Sequence, residues 1–211
     1  MREYHKIETI YARDNNGTKK LIEGWYRNET VEYLANNEWL FTEKIDGTNI
    51  RIYWDGHKIT FGGRTDRANI PARLVNKLNK IFLNEETEQL FEQKFGEKEV
   101  ILFGEGYGAK IQAVGSDYRS DVGFILFDVL IGENYLNRES VEDIAKAFGL
   151  EIVPIVLRGT IEEAVAFIKR KPNSTIGKAK MEGVVGRPEV ELLDRCGHRL
   201  IVKIKCRDFE V

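Results

Sequence analysis

The sequence predicts an α+β fold, antiparallel sheets with flanking helices, from three observations. Short runs alternate apolar and polar residues and stop at Gly, Asp or Asn, as half-buried antiparallel strands do. Longer stretches with helical spacing carry cap signals at their ends. No repeat, low-complexity tract or linker divides the 211 residues, and 42% apolar content suffices for one sizeable domain, residues 1–211, with a subdivided sheet.

The elements follow in chain order. Residues 30–36 read as a short helix. Residues 40–45 and 49–54 are two strand runs, and Asp55-Gly56 turns the chain into a third at 57–61. Residues 71–95 form the longest helical stretch, broken near Asn84. Strands are predicted at 100–103 and 122–131, then a helix over 137–148 that ends at Gly149. A strand at 152–157 precedes a helix opened by Thr160 and Glu163, a capping box, and stopped before Pro172. Strands at 183–186 and 199–205 complete the series.

Composition narrows the function classes. The first twenty residues are charged throughout and lack an apolar signal core, and no later apolar run is long enough to span a bilayer, so a cytoplasmic protein with no membrane partner is expected. Cys196 and Cys206 form no C-x-x-C pair and have no histidine partner at zinc spacing, which argues against a disulfide framework or a structural zinc site. Net charge is −2, but residues 158–211 carry 12 Lys+Arg against 8 Asp+Glu. A local phosphate-binding groove is therefore compatible with an acidic chain.

The chemistry concentrates in six segments. Glu43-Lys44-Ile45-Asp46-Gly47-Thr48-Asn49 places a lysine beside a carboxylate at a glycine turn that closes a strand. Lysine amines titrate near pH 10.4, so one acts as a nucleophile only where its surroundings favour the neutral form. Read alone, the run is also an ordinary hairpin turn. Gly62-Gly63-Arg64-Thr65 offers a guanidinium to a phosphate. Phe103-Gly104-Glu105-Gly106 reads as a strand ending in a flexible turn with one carboxylate. In residues 123–130 an aspartate, Asp128, interrupts an apolar strand beside Phe127, an aromatic able to stack on a base.

Met181-Glu182-Gly183 repeats the carboxylate at the start of a strand. In residues 200–206 the period of two puts Lys203 and Lys205 on one face and Val202, Ile204 and Cys206 on the other. Like charges side by side call for an anion between them, or else guard an exposed sheet edge. Together the segments supply what nucleotidyl transfer requires: a nucleophile, fixed cations for developing phosphate charge, and carboxylates Asp46, Glu105 and Glu182 to hold Mg²⁺ through its waters.

The motifs K-I-D-G-T-N, F-G-E-G, F-I-L-F-D, E-G-V-V and V-K-I-K, in this order from Lys44 to Lys205, resemble those of the covalent nucleotidyltransferases, the polynucleotide ligases and messenger-RNA capping enzymes. Asn49 is similar to the asparagine that RNA ligases of the RNA ligase 2 type carry where DNA ligases and capping enzymes have arginine, and Arg64 matches an arginine of the same type. The resemblance implies an ATP-grasp-like ligase adenylation domain, using ATP with Mg²⁺ or Mn²⁺, that forms lysyl-AMP on Lys44. AMP would pass to an RNA 5′-phosphate and a 3′-hydroxyl would displace it; an end already adenylylated would enter at the last step.

By the same resemblance Glu43 and Glu105 would contact the nucleotide, Glu105 at its ribose. Phe127, rather than Phe124, would stack on adenine, and Asp128 would support the site. Glu182 would position metal waters, Lys203 and Lys205 would hold the α-phosphate, and Asn49 and Arg64 would serve the RNA ends. Two departures stand beside this. Many relatives have histidine at Asp46, and the chain ends six residues after Lys205, where ligases and capping enzymes continue into an OB or helical domain; a monomeric nucleotidyltransferase domain alone is expected. The competing readings are a DNA ligase or capping-type enzyme, and a non-catalytic nucleotide or RNA-end binding protein.

Overall fold

The computed structural model describes residues 1–16 and 19–209. The chain forms two compact units, one of Lys6–Ile45 with Pro154–Val211 and one of Met1–His5 with Asp46–Val153. The first, the Lys44 unit, begins with β1 (Glu8–Thr9), β2 (Tyr11–Arg13), β3 (Leu21–Tyr26), α1 (Glu29–Tyr33) and β4 (Trp39–Lys44). The second, the Glu105 unit, follows with β5 (Thr48–Trp54), β6 (Ile59–Gly62), α2 (Ala72–Phe82), α3 (Glu85–Phe95), β7 (Val100–Gly108), α4 (Gly115–Tyr118), β8 (Val122–Ile131), β9 (Asn134–Tyr135), α5 (Arg138–Ala147) and β10 (Glu151–Ile152). The chain then returns to the Lys44 unit through β11 (Ile155–Gly159), α6 (Ile161–Lys169), β12 (Gly183–Pro188) and β13 (Val202–Lys205).

The Lys44 unit is a sheet in the order β1-β13-β12-β4-β11, antiparallel except where β1 meets β13, with β2 and β3 paired separately. One face of the sheet is apolar because Trp39, Phe41, Val184, Val202 and Ile204 share one strand parity, and Ile161, Ala164, Val165 and Ile168 of α6 pack on it. The helix opens with the predicted capping box: Thr160 Oγ1 accepts from Glu163 N–H while Glu163 accepts from Thr160 N–H. Each side chain sealed there is worth about 1.5–3 kcal/mol of burial.

The Glu105 unit carries a sheet in the order β10-β8-β7-β5-β6, with β9 on β8. Leu74, Leu78, Phe82, Phe91, Phe95, Val141 and Ala145 from α2, α3 and α5 bury Ile50, Ile52, Trp54, Leu102, Phe124, Leu126 and Val129 on one face. The long helical stretch breaks where expected, at Asn84, whose side chain accepts from Thr87 N–H and caps α3.

Three expectations are corrected, and one region carried no expectation. The run 152–157 is two strands, because Pro154 has no N–H to donate to a ladder; β10 pairs with β8 in one unit and β11 with β4 in the other. Strand β7 continues to Gly108, so Glu105 stands within a strand, not in a flexible turn. Its glycines are there for space. A Cβ on Gly104 would lie 2.3 Å from the Phe124 ring, and one on Gly106 would lie 2.3 Å from Leu74. Strand β13 begins only at Val202 and runs between β1 and β12, so its lysines do not guard a sheet edge. Strands β1 to β3 lie in an N-terminal region whose charges gave no strand signal.

Candidate active site

In the Lys44 unit, register builds the site. Lys44, Gly183 and Lys205 form one row across β4, β12 and β13, and Thr42, Val185 and Lys203 form another. Strand parity turns all three lysines away from the α6 core. Gly183 brings the row close: a Cβ there would meet the Ile204 carbonyl oxygen at 2.2 Å. Glu182, just before this glycine, accepts from Lys44 Nζ at 2.7 Å through Oε2 and from Lys205 Nζ at 2.5 Å through Oε1.

The electrostatics are one-sided. Burial pushes the Glu182 carboxyl up, but the Lys44 charge and the hydrogen bonds from Lys205 and Lys44 outweigh it and hold the group below the usual glutamate range. Burial pushes the Lys203 ammonium down, and the charges of Lys205 and Lys44 push the same way against Glu8. Among the described residues no carboxylate lies at ion-pair distance from Lys203. Three cations on one face, two of them held by a single carboxylate, suit a phosphate group.

Glu43, expected to contact the nucleotide, does something else. One residue from Lys44 on an extended strand, it faces the opposite side and is 1% exposed. Its carboxylate accepts from Ser174 Oγ at 2.5 Å and from Thr175 N and Oγ1 at 2.9 and 2.5 Å, so it anchors the segment leading to Glu182. Ser174 and Thr175 carried no signal in the sequence beyond their polarity.

In the Glu105 unit, Asn49, Glu105 and Ile125 are in register across β5, β7 and β8. Gly47 explains part of the K-I-D-G run. A Cβ there would lie 2.4 Å from the Gly106 carbonyl oxygen and 2.8 Å from Glu105 Cγ, so glycine lets the turn seat against the Glu105 strand. Asp46 opens the unit, its N–H donating to Tyr118 Oη at 3.4 Å. Asn49 Oδ1 is buried without a hydrogen-bond partner among the described residues, a cost unless a donor reaches it.

The two phenylalanines differ. Phe124 belongs to the helix-covered core, edge-on to Phe82 at 5.4 Å. Phe127 is skipped by the β7–β8 register, where Phe103 pairs with Asp128 and Gly104 with Leu126. That bulge places it with Phe103 and Tyr4, on the face whose parity Glu105 shares. Asp128 is fully buried and accepts from Tyr4 Oη at 2.8 Å, tying the N-terminal segment to β8.

Arg64 is exposed on the turn after β6, and the structure places a second arginine beneath that turn. Arg51, fully buried, donates through Nε to the Gly63 carbonyl at 2.7 Å, through Nη1 to the Met1 carbonyl at 2.8 Å, and through Nη2 to Asp66 Oδ1 at 2.8 Å. Its hydrogen bond, with the N-terminal charge and its own charge, lowers the Asp66 carboxyl. The alternation in residues 49–54 put Arg51 on the Asn49 face, but its partners were invisible in sequence.

Comparison with known proteins gives the family and the fold. Over residues 37–205 the chain matches the family described as RNA ligase. Its fold is similar to that of Naegleria gruberi RNA ligase. A mutant with ATP and Mn superposes with a TM-score of 0.65 at 19% identity, covering 94% of this chain and 55% of that one. Another with AMP and Mn gives 0.63 at 18%, over 94% and 60%, and the protein with PPi gives 0.64 at 18%, over 96% and 61%. The chain thus spans little more than half the length of those proteins. With most of its residues inside the matched family, the chain belongs to the RNA ligase family.

Proposed function

We propose that the chain is the nucleotidyltransferase part of an ATP-dependent RNA ligase. Lys44 Nζ, as the neutral amine, attacks the α-phosphorus of ATP; a P–N bond forms, the bond to the β-phosphate oxygen breaks, and pyrophosphate leaves. An RNA 5′-phosphate oxygen then displaces Lys44 from AMP. Finally a 3′-hydroxyl attacks that 5′-phosphate, losing its proton as AMP leaves and the strand is joined.

The observation that carries this reading is the row Lys44–Gly183–Lys205 with Lys203 in the next row, all on the face turned from the core. Lys203 and Lys205 offer fixed charge to an α-phosphate, the largest kind of help a protein gives such a reaction. Glu182 holds Lys44 and Lys205 side by side. In the other unit, Glu105 would bind ribose, Phe127 would stack on adenine with Asp128 supporting it, and Asn49 and Arg64 would serve the RNA ends. The carboxylates Asp46, Glu105 and Glu182 are hard oxygen acceptors that would hold Mg²⁺ or Mn²⁺ through its waters, and such an ion would neutralise phosphate charge. Among the described residues no helix is long and apolar enough to cross a membrane, and we place the protein in the cytoplasm as a monomer.

The test separates the steps. Native protein should seal splinted RNA bearing a 5′-phosphate when given ATP, and pre-adenylated RNA without it. Lys44→Ala should lose the first activity and keep the second, since the bypassed steps are the only ones that need the amine. Loss of neither activity would remove Lys44 from the chemistry.

A further inference from the structure

The segment between β12 and β13 carries a second constellation, made of residues outside the motifs above. Asp194 N–H donates to the His198 carbonyl at 2.7 Å, Gly197 N–H donates to the Asp194 carbonyl at 3.0 Å, and Leu193 bridges Arg199, which closes residues 194–198 into a hairpin loop. Gly197, at φ +80°, makes the reversal in the left-handed region open to glycine. The loop gathers Asp194, Cys196 and His198, at every second residue, so that a carboxylate oxygen, the thiol sulfur and an imidazole nitrogen all lie within 4.8 Å of one another.

This is not a generic acidic patch. The chain has only three histidines and two cysteines, and one of each meets an aspartate within five residues. A thiolate, an imidazole and a carboxylate are the donors that zinc prefers, and three protein ligands leave a position for water. Cys196 is exposed and in no disulfide. The familiar spacings that argue against zinc in the sequence describe other zinc folds; here a D-x-C-x-H run on one closed loop performs the gathering.

We propose that Asp194, Cys196 and His198 form a zinc site on the loop leading into β13. Zn²⁺ binds the Cys196 sulfur as the thiolate, releasing its proton to solvent, and takes one imidazole nitrogen of His198 and one Asp194 oxygen. Asp194 Oδ2 lies 3.2 Å from His198 Nδ1, and its Oδ1 accepts from the N–H groups of Cys196 and His198, so the loop is already shaped before the metal arrives. Bound metal fixes the loop five residues ahead of Lys203.

The experiment uses the full chain, stripped with a chelator, carrying no histidine tag, and titrated with Co²⁺ as a spectroscopic stand-in for Zn²⁺. The expected result is a sulfur-to-cobalt charge-transfer band that saturates at one equivalent and disappears on adding Zn²⁺. The band should persist in Cys206→Ser and vanish in Cys196→Ser and His198→Ala, with circular dichroism showing that both remain folded. Asp194→Asn, which keeps an oxygen for the loop hydrogen bonds, should weaken Co²⁺ binding by about tenfold or more. No band in native protein, or a band that survives Cys196→Ser, would overturn the proposal. Unchanged affinity in Asp194→Asn would remove the aspartate from the ligand set. Because the readout is spectroscopic, it is independent of RNA ligase activity.

Discussion

Replacing Glu182 by glutamine should cost stability in a way only its paired lysines explain. The carboxylate side chain is 16% exposed and holds Lys44 and Lys205, themselves 24% and 13% exposed, on its two oxygens. Removing one member of a buried pair costs about 3–5 kcal/mol, because the charge left behind stays desolvated. Here water reaches part of the site and the glutamine oxygen still accepts one hydrogen bond, so the expected loss is about 2–3 kcal/mol. Burial opposes the charged carboxylate but its lysines win, so the folded-state pKa lies below the ordinary value of about 4.5. The contribution is therefore fully present above that value and lost as pH falls through the folded pKa. Urea denaturation of native and Glu182→Gln protein at neutral pH, and again in steps from pH 4.5 downward until the difference between the two stops changing, measures both. Pyrophosphate at neutral pH should recover more stability in the mutant than in the native protein, since it replaces the missing anion. A neutral-pH loss under about 0.5 kcal/mol, the range of ordinary surface substitutions, would refute the reasoning, as would an equal loss in acid.

Three further outcomes follow. Lys203→Met should slow adenylylation by about 10²-fold or more, the cost of losing a transition-state contact, and should leave urea stability unchanged or higher, because the ammonium is held below its ordinary pKa by burial and neighbouring cations. For the same reason the native protein should gain stability relative to Lys203→Met as pH rises toward 10.5. Glu43→Gln should cost about 2–3 kcal/mol in urea melts, since a buried acceptor of three hydrogen bonds becomes half donor, with ATP affinity changing only as the segment at Ser174 loosens. Gly104→Ala should cost about 1–3 kcal/mol by pressing on Phe124; an unchanged midpoint would mean the strand has room that its geometry denies.

What was legible in the sequence was local. The alternation in residues 202–205 suffices to place Val202 and Ile204 in the core and Lys203 and Lys205 opposite, because period two belongs to the strand itself. The same rule, applied to neighbouring Glu43 and Lys44, already required one of them to face the core. What hid was non-local. The glycines around Glu105 read as a turn because their real reason, the Phe124 ring and Leu74, approaches from elsewhere in the chain. The Lys44–Gly183–Lys205 row exists only once β4, β12 and β13 pair. Arg51 and Asp128 depend on the N-terminal Met1 and Tyr4, and the Asp194–Cys196–His198 loop on a hairpin the spacing rules do not describe.

The central claim is that Lys44 is the nucleophile, and the direct measurement is to incubate the protein with Mg²⁺ and ATP labelled in its α-phosphate, denature it, digest it and map the label. Label is expected from ATP, and not from GTP or NAD, on Lys44 alone, with none in Lys44→Ala. Label on another residue, label that persists in Lys44→Ala, or no label in protein shown to carry no AMP beforehand would contradict it.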